Sequence, residues 1–243
     1  MRLIITGDGT LAAATRQGCA PCFLLLQANC HEADVVWICN DIPLNAPDPL
    51  AWSLASIKHY LDLGGPHTPI LISSQIPLGT IARLERVYPR RSFAYSPENL
   101  RVATAAADFA SQDRVIVGRR ATTHDHLWRS LFAPFTSHLI LTDPETAELI
   151  KHTLNSYLGL SIAFINEIAR VAEVTGADIS TITHALRTEA RISPHAPLRA
   201  GPPFGEGHLA RDIQGLMTFA HVHALKIPLI RAIHTSNEGG PHD

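Results

Sequence analysis

The sequence predicts an α/β fold: a parallel-sheet domain over residues 1–142, then an all-α domain over residues 143–243 built on one long helix. Three observations carry this. Apolar, β-branched runs alternate with helical segments through the first part of the chain, as in βαβ units. No helix breaker interrupts the stretch from Asp143 to Glu173, DPETAELIKHTLNSYLGLSIAFINEIARVAE. Only helical segments follow it.

Composition limits the function classes. Hydrophobic residues make up 46% and charged residues 17%, which describes a globular chain with ample core. The net charge of −2 gives no reason to expect nucleic acid as a partner. No apolar run reaches the roughly 18 residues of a membrane span, and no basic-then-apolar leader opens the chain, so no membrane partner and a cytoplasmic location are expected. Cys19-Ala20-Pro21-Cys22 has redox-motif spacing and could join Cys30 and His31 around zinc. A second closely spaced ligand pair is missing, and Cys39 lies in a strand-like run, so reduced thiols are expected and no metal. The 14 histidines are scattered without a ligand pattern.

The elements follow in order. Arg2–Thr6 reads as a strand entering Gly7-Asp8-Gly9-Thr10-Leu11-Ala12, a G-x-G-x-x-A match in which glycines let a pyrophosphate approach a helix N-terminus. Ala33–Pro43 fits a buried parallel strand, Leu50–Leu63 an amphipathic helix, and Pro69–Ser74 the next strand. Ser92–Tyr95, Asp113–Gly118 and His138–Leu141 read as strands, with a helix over Leu127–Phe132. Asp143 caps the long helix, Pro144 suits its first position, Glu145 and Glu148 favour its dipole, and Gly176 stops it. About thirty residues at about 1.5 Å each make it roughly 45 Å long. Leu149, Ile150, Leu154, Leu158, Ile162, Ile165, Ile168 and Ala169 form an apolar face, widened by Tyr157, Leu160, Ala163 and Phe164, too broad for one small domain to cover. A homodimer through the Asp143–Glu173 helix is therefore expected. Lys151 and Asn155 point the same way at i and i+4. Asp178 caps a helix to about Arg187, Ile213–Leu225 is helical, and Pro228 restarts a helix.

AELIKHTLNSYLGLSIAFINEIA, with YSPENLR upstream and GPPFGEGHLARD downstream, resembles the UDP-glucose/GDP-mannose dehydrogenase family from about Glu32 to about Asn237. The resemblance implies a partial Rossmann-like sheet domain with an all-α dimerisation domain, NAD as cofactor and a nucleotide sugar as substrate. It also offers a second reading of Gly7–Ala12, as the strand and helix just before the nucleotide domain's fourth strand. That reading is favoured, because only about 25 residues separate Gly9 from the strand at Asp34–Asn40, too few for a second βα unit carrying the ribose-binding acid. On it the fingerprint and first βαβ unit are absent, and NAD binding is weak or lost.

The resemblance assigns roles by position. Ile42-Pro43 matches a Thr-Pro beside the nicotinamide, with the threonine gone. ILISSQIPLGT matches K-S-T-V-P-x-G-T and puts Ser74 at the cofactor. Ser96–Arg101 matches N-P-E-F-L-R, so Glu98 contacts cofactor and sugar while Leu100 and Arg101 line the substrate; the family's second glutamate falls on Val102. Lys151 and Asn155 match the catalytic lysine and asparagine, and Arg191 matches an arginine that reaches the sugar, often across the dimer. In G-x-G-F-G-G-x-C-x-x-K-D, Phe204, Gly205 and Asp212 match, Arg211 keeps the lysine's charge, Pro203 and Glu206 replace glycines, and His208 replaces the nucleophilic cysteine. The family's C-terminal domain has no counterpart in the sequence. Without the resemblance, Lys151 and Asn155 would read as solvent-facing and Asp212 as the N-cap of a helix from Ile213.

In that family two hydride transfers pass through a thiohemiacetal and a thioester. A thiolate suits this because it is nucleophilic near neutral pH and its acyl ester is labile. An imidazole accepts protons but makes a poor hemiacetal partner. The expectation is NAD-linked oxidation of a sugar CH–OH group without the second step; the alternatives are a degenerate dimeric binding or scaffold protein and a non-functional fragment.

Overall fold

In the computed structural model, residues 1–27, 30–40, 46–98, 104–205 and 207–239 are described. They form two compact units, Met1–Lys151 and His152–Asp243.

The first unit is a seven-stranded sheet: β1 (Arg2–Thr6), β2 (Leu24–Leu25), β3 (Val35–Ile38), β4 (Ile70–Ile72), β5 (Phe93–Tyr95), β6 (Val115–Arg119) and β7 (Leu139–Thr142). The strand order is β2-β1-β3-β4-β5-β6-β7, with every pair parallel except β5 and β6. Because side chains alternate along a strand, each face carries its own core. On one face Leu3, Val35, Trp37, Leu71, Val115 and Val117 meet Phe109, Trp128, Leu131 and Phe132. These last four come from α4 (Ala105–Ala110) and α5 (Asp125–Phe132), while α1 (Thr10–Cys19) adds Ala12 and Cys19. On the other face Ile4, Val36, Ile38, Ile70, Ile72, Phe93 and Ile116 meet Ile57 of α2 (Pro49–Lys58) and Ile81 and Leu84 of α3 (Thr80–Val87). Helices on both faces of a parallel sheet make the doubly wound arrangement expected from the alternating pattern. The helices α3 and α4 and the strand β2 are short, eight, six and two residues, and were not read from the sequence.

The topology corrects one expectation. β1 lies between β2 and β3 and pairs with both in parallel, Leu3 with Leu25 and Leu3 with Val35. A strand preceding the fourth strand of a doubly wound sheet would stand at the sheet's edge. The glycine segment instead follows the strand from which the chain turns one way to β2 and the other way to β3. That is a topological switch point, where such sheets bind ligands.

The long helix is α6 (Pro144–Thr175). Asp143 caps it, Oδ1 accepting the Thr146 N–H at 2.8 Å, and Gly176 ends it at φ 71°. The second unit adds α7 (Ile179–Thr188), α8 (His208–Val222) and α9 (Pro228–Glu238). Asp178 caps α7 through the Ser180 and Thr181 N–H groups. Ala163, Ile213 and Ile233 form the unit's small apolar core, and an added Cβ on Gly159 would meet Ile213 Cδ1 at 2.7 Å.

The buried face of α6 differs from the one the leucines suggest. Leu149, Tyr157 and Phe164 are exposed, while Glu148, Lys151, His152, Asn155 and Ser156 are buried. These polar residues recur at i, i+3, i+4, i+7 and i+8, so half of the helix turns a polar stripe inward. No helix among the described residues is long and apolar enough to cross a membrane.

Candidate functional site

At the end of β1 the backbone takes conformations that favour glycine, φ 104° at Gly7 and φ 91° at Gly9. A Cβ on Gly7 would lie 2.5 Å from the Cys39 carbonyl oxygen and 2.7 Å from Asn40 Oδ1. Ala12, fully buried, lets α1 pack closely on the sheet in place of a third glycine. No side chain caps α1, whose first N–H groups form an anion-binding helix end. Arg16 braces the turn, donating to the carbonyls of Gly7 at 2.7 Å and Ile5 at 3.2 Å. This backbone fits a pyrophosphate. The side chain at its tip does not: Asp8 is exposed between the two glycines and brings a negative charge to the phosphate position.

At the neighbouring strand ends the hydroxyls serve the backbone and the core. Ser74 Oγ accepts the Asn40 N–H at 2.9 Å, and Ser73 Oγ accepts from Trp37 Nε1 at 2.9 Å. Ser74 therefore links β3 to β4, in addition to any role toward a cofactor. Ile42, Pro43, Leu100, Arg101, Val102 and Glu206 lie outside the described residues.

Lys151 is 6% exposed and its ammonium donates to the Glu98 carbonyl, tying α6 to the chain that leaves β5. It is not solvent-facing. One turn earlier Glu148, 2% exposed, accepts the Gly79 N–H at 2.6 Å and the Ile81 N–H at 2.9 Å. It thereby caps α3 from another helix. Burial pushes its carboxyl up to about 7, against the two N–H bonds, which pull it down.

In the second unit Asp212 is 1% exposed and lies inside α8, so it is not the N-cap of a helix starting at Ile213. Asn155 Nδ2 donates to its Oδ2, and His152 Nε2 stands 3.9 Å from its Oδ1. His208, exposed, opens α8 one turn before Asp212, and Arg211 is partly buried beside it. Phe204 is fixed through its backbone: its N–H donates to Asn237 Oδ1 and its carbonyl accepts from Nδ2, both at 2.9 Å. Gly205 follows it, exposed. Arg191 is exposed and paired with Glu189 at 2.8 Å. A cavity of about 360 Å3 in this unit is lined by Asn166, Arg170, Ser236 and Asn237 among others, and by none of the expected site residues.

The structure thus pairs Asn155 with Asp212 and Lys151 with the Glu98 backbone, and turns Arg191 to solvent. Sequence reasoning missed His152 and the capping role of Glu148. Spacing alone gave no signal, because polar residues at i, i+3, i+4 and i+7 ordinarily mark the solvent-facing side of a helix. The cysteines are free; burial raises the Cys19 thiol to about 12 and the Cys39 thiol further. Among the described residues no group of His, Cys, Asp and Glu could hold a metal ion.

Residues 145–239 match the model of the UDP-glucose/GDP-mannose dehydrogenase family, central domain. The chain is 32% identical over 179 residues to the UDP-glucose 6-dehydrogenase of Rickettsia bellii, covering 71% of this chain and 41% of that protein. UDP-glucose 6-dehydrogenase TuaD of Bacillus subtilis is 27% identical over 217 residues, covering 86% and 47%. The chain therefore spans somewhat less than half the length of these relatives. Among solved structures, the UDP-D-ManNAc dehydrogenase from Pyrococcus horikoshii superposes with a TM-score of 0.82 at 21% identity, over 98% of this chain and 68% of that one. A UDP-glucose dehydrogenase from Pyrobaculum islandicum gives 0.76 at 21% identity, over 96% and 61%. At that identity the likeness is one of fold.

Proposed function

Because this chain belongs, through its central domain, to the UDP-glucose/GDP-mannose dehydrogenase family, we propose that it oxidises a CH–OH group of a nucleotide sugar and stops at the aldehyde. The observation that carries this reading is on α8. His208 opens the helix at the position that the resemblance gives to a nucleophilic cysteine, and Asp212, one turn on, is buried against Asn155. Asp212 or His208 accepts the alcohol proton, and the Asn155 amide steadies the developing alkoxide. Lys151 holds the chain after β5 through the Glu98 carbonyl. No thiol on α8 traps the aldehyde, so the second oxidation lacks the covalent route that a cysteine at this position would give.

NAD, when bound, supplies the hydride acceptor. The glycine turn after β1, the first N–H groups of α1 and Ser74 would hold it, with Asp8 weakening its pyrophosphate contact. The protein acts as a homodimer in this reading. Tyr157, Phe164 and Val171, at 58%, 46% and 58% exposure, follow one another at seven-residue spacing along α6, as a helix seam does. A dimeric binding protein without turnover is the second reading, favoured by the Asp8 carboxylate on the phosphate turn.

Incubating the purified chain with NAD and either UDP-glucose or GDP-mannose, followed by product analysis, tests the proposal. Aldehyde with one NADH per sugar is expected. Stoichiometric uronic acid would sink the role given to His208, and no NADH with either sugar would favour the second reading.

A further inference from the structure

Asp212 is 1% exposed, and a carboxylate buried that deeply is costly unless polar partners surround both oxygens. Asn155 occupies one oxygen. The other faces His152, whose side chain is 3% exposed and whose Nε2 stands 3.9 Å away. That is within ion-pair range and longer than a hydrogen bond. The ring has a built seat. One turn beyond Asp212, α8 presents Gly215, where an added Cβ would lie 3.2 Å from Nε2 and 3.4 Å from Cδ2 of the imidazole. A bare stretch of helix thus receives the ring edge and aims Nε2 at the carboxylate.

We propose that His152 is a positioning residue for Asp212, holding the carboxylate in the rotamer that serves the reacting alcohol. The function it deepens is the alcohol oxidation proposed above, on which it rests. His152 touches no reacting atom; it acts through Asp212, with Asn155 fixing the opposite oxygen. A ring in this seat also explains why a residue next to Lys151 on a long helix is buried while Leu149 is exposed.

The test combines turnover with a spectroscopic arm that needs none. His152→Leu should lower kcat about tenfold with KM nearly unchanged, the loss of one oriented polar contact to a charged group. His152→Gln, which keeps a polar tip, should recover part of that loss, and Gly215→Ala, which crowds the ring, should give a smaller one. In parallel, the ring 15N resonances of His152, assigned by their disappearance in His152→Gln, should move in Asp212→Asn. Unaltered kcat in both His152→Leu and Gly215→Ala would overturn the proposal, as would ring resonances that ignore Asp212→Asn. If the wild type shows no turnover but those resonances move, the dehydrogenase reading fails while the pairing of His152 with Asp212 stands.

Discussion

The two units differ in the size of their apolar interiors. The first buries large apolar side chains on both sheet faces, Trp37, Phe109, Trp128 and Phe132 among them, and leaves Asp8 exposed on its glycine turn. The second has an apolar core of a few residues around Ala163, Ile213 and Ile233, yet buries His152, Asn155, Ser156 and Asp212. It also exposes Tyr157, Phe164, Val171, Val174, Val222 and Leu229. The first is thus a scaffold stabilised by apolar burial on both sheet faces. The second buries polar side chains beside a small core and leaves several large apolar side chains outside.

The largest expected effect sharpens the scaffold side of that contrast. Phe109 is fully buried and packs on Trp37 and Phe135, with ring centroids 5.9 and 4.9 Å apart. Phe109→Ala should cost about 3–5 kcal/mol in urea unfolding. A loss under about 1 kcal/mol would mean that the sheet unit does not hold its core as tightly as these contacts imply.

Glu148 is a buried carboxylate inside the first unit. Folded, it keeps its proton to about 7, against an ordinary value of 4.5. The folded chain therefore holds an extra proton between those values, and the stability this contributes, full below about 4.5, is lost as pH rises through about 7. Glu148→Gln is neutral throughout and should lack that slope, a difference on the order of 3 kcal/mol across the window. Parallel stability curves for wild type and variant from acid to mildly alkaline pH would rule this out.

The exposed stripe on α6 tests the other side of the comparison. Phe164→Glu places a charge in the middle of the proposed seam and should weaken self-association by about 2 kcal/mol, read by light scattering against concentration. A wild-type chain already monomeric at micromolar concentration would remove the dimer and leave the apolar surface of the second unit unexplained.

How much of this was legible in the sequence follows the same division. Strands β1, β3, β4, β5, β6 and β7 were readable as short apolar, β-branched runs, and α6 because Asp143, Pro144 and Gly176 mark its ends. The place of Gly7–Ala12 was not. Strand order is a long-range pairing, and counting residues to the next strand cannot distinguish a central strand from an edge. The inward face of α6 was misread because its leucines and isoleucines suggest the buried side, whereas packing had turned Glu148, Lys151, His152 and Asn155 inward. Asp212 was visible only through the resemblance, since an aspartate before Ile213 has the form of a cap. Arg191 also matched a motif, but the structure pairs it with Glu189 at the surface.

The smallest effect concerns the rim, where the first unit meets its ligand. Gly7, Gly9 and Ala12 give α1 a free N-terminus at the switch point, and Arg16 braces the turn. The exposed Asp8 carboxylate opposes a pyrophosphate at this turn. Two unit charges about 4 Å apart repel by about 1 kcal/mol at the dielectric of water and more where solvent is partly excluded. Asp8→Asn should therefore tighten NAD binding about tenfold by calorimetry. Raising the salt to about 1 M, where the screening length is about 3 Å, should shrink the gap between variant and wild type. Gly9→Val, which strains the turn, should abolish binding in either background. Equal affinity of Asp8→Asn and wild type would show that the carboxylate turns away from the phosphates. If NAD then remained weak, the cause would lie outside this turn, at a site such as the two-residue strand β2 beside β1.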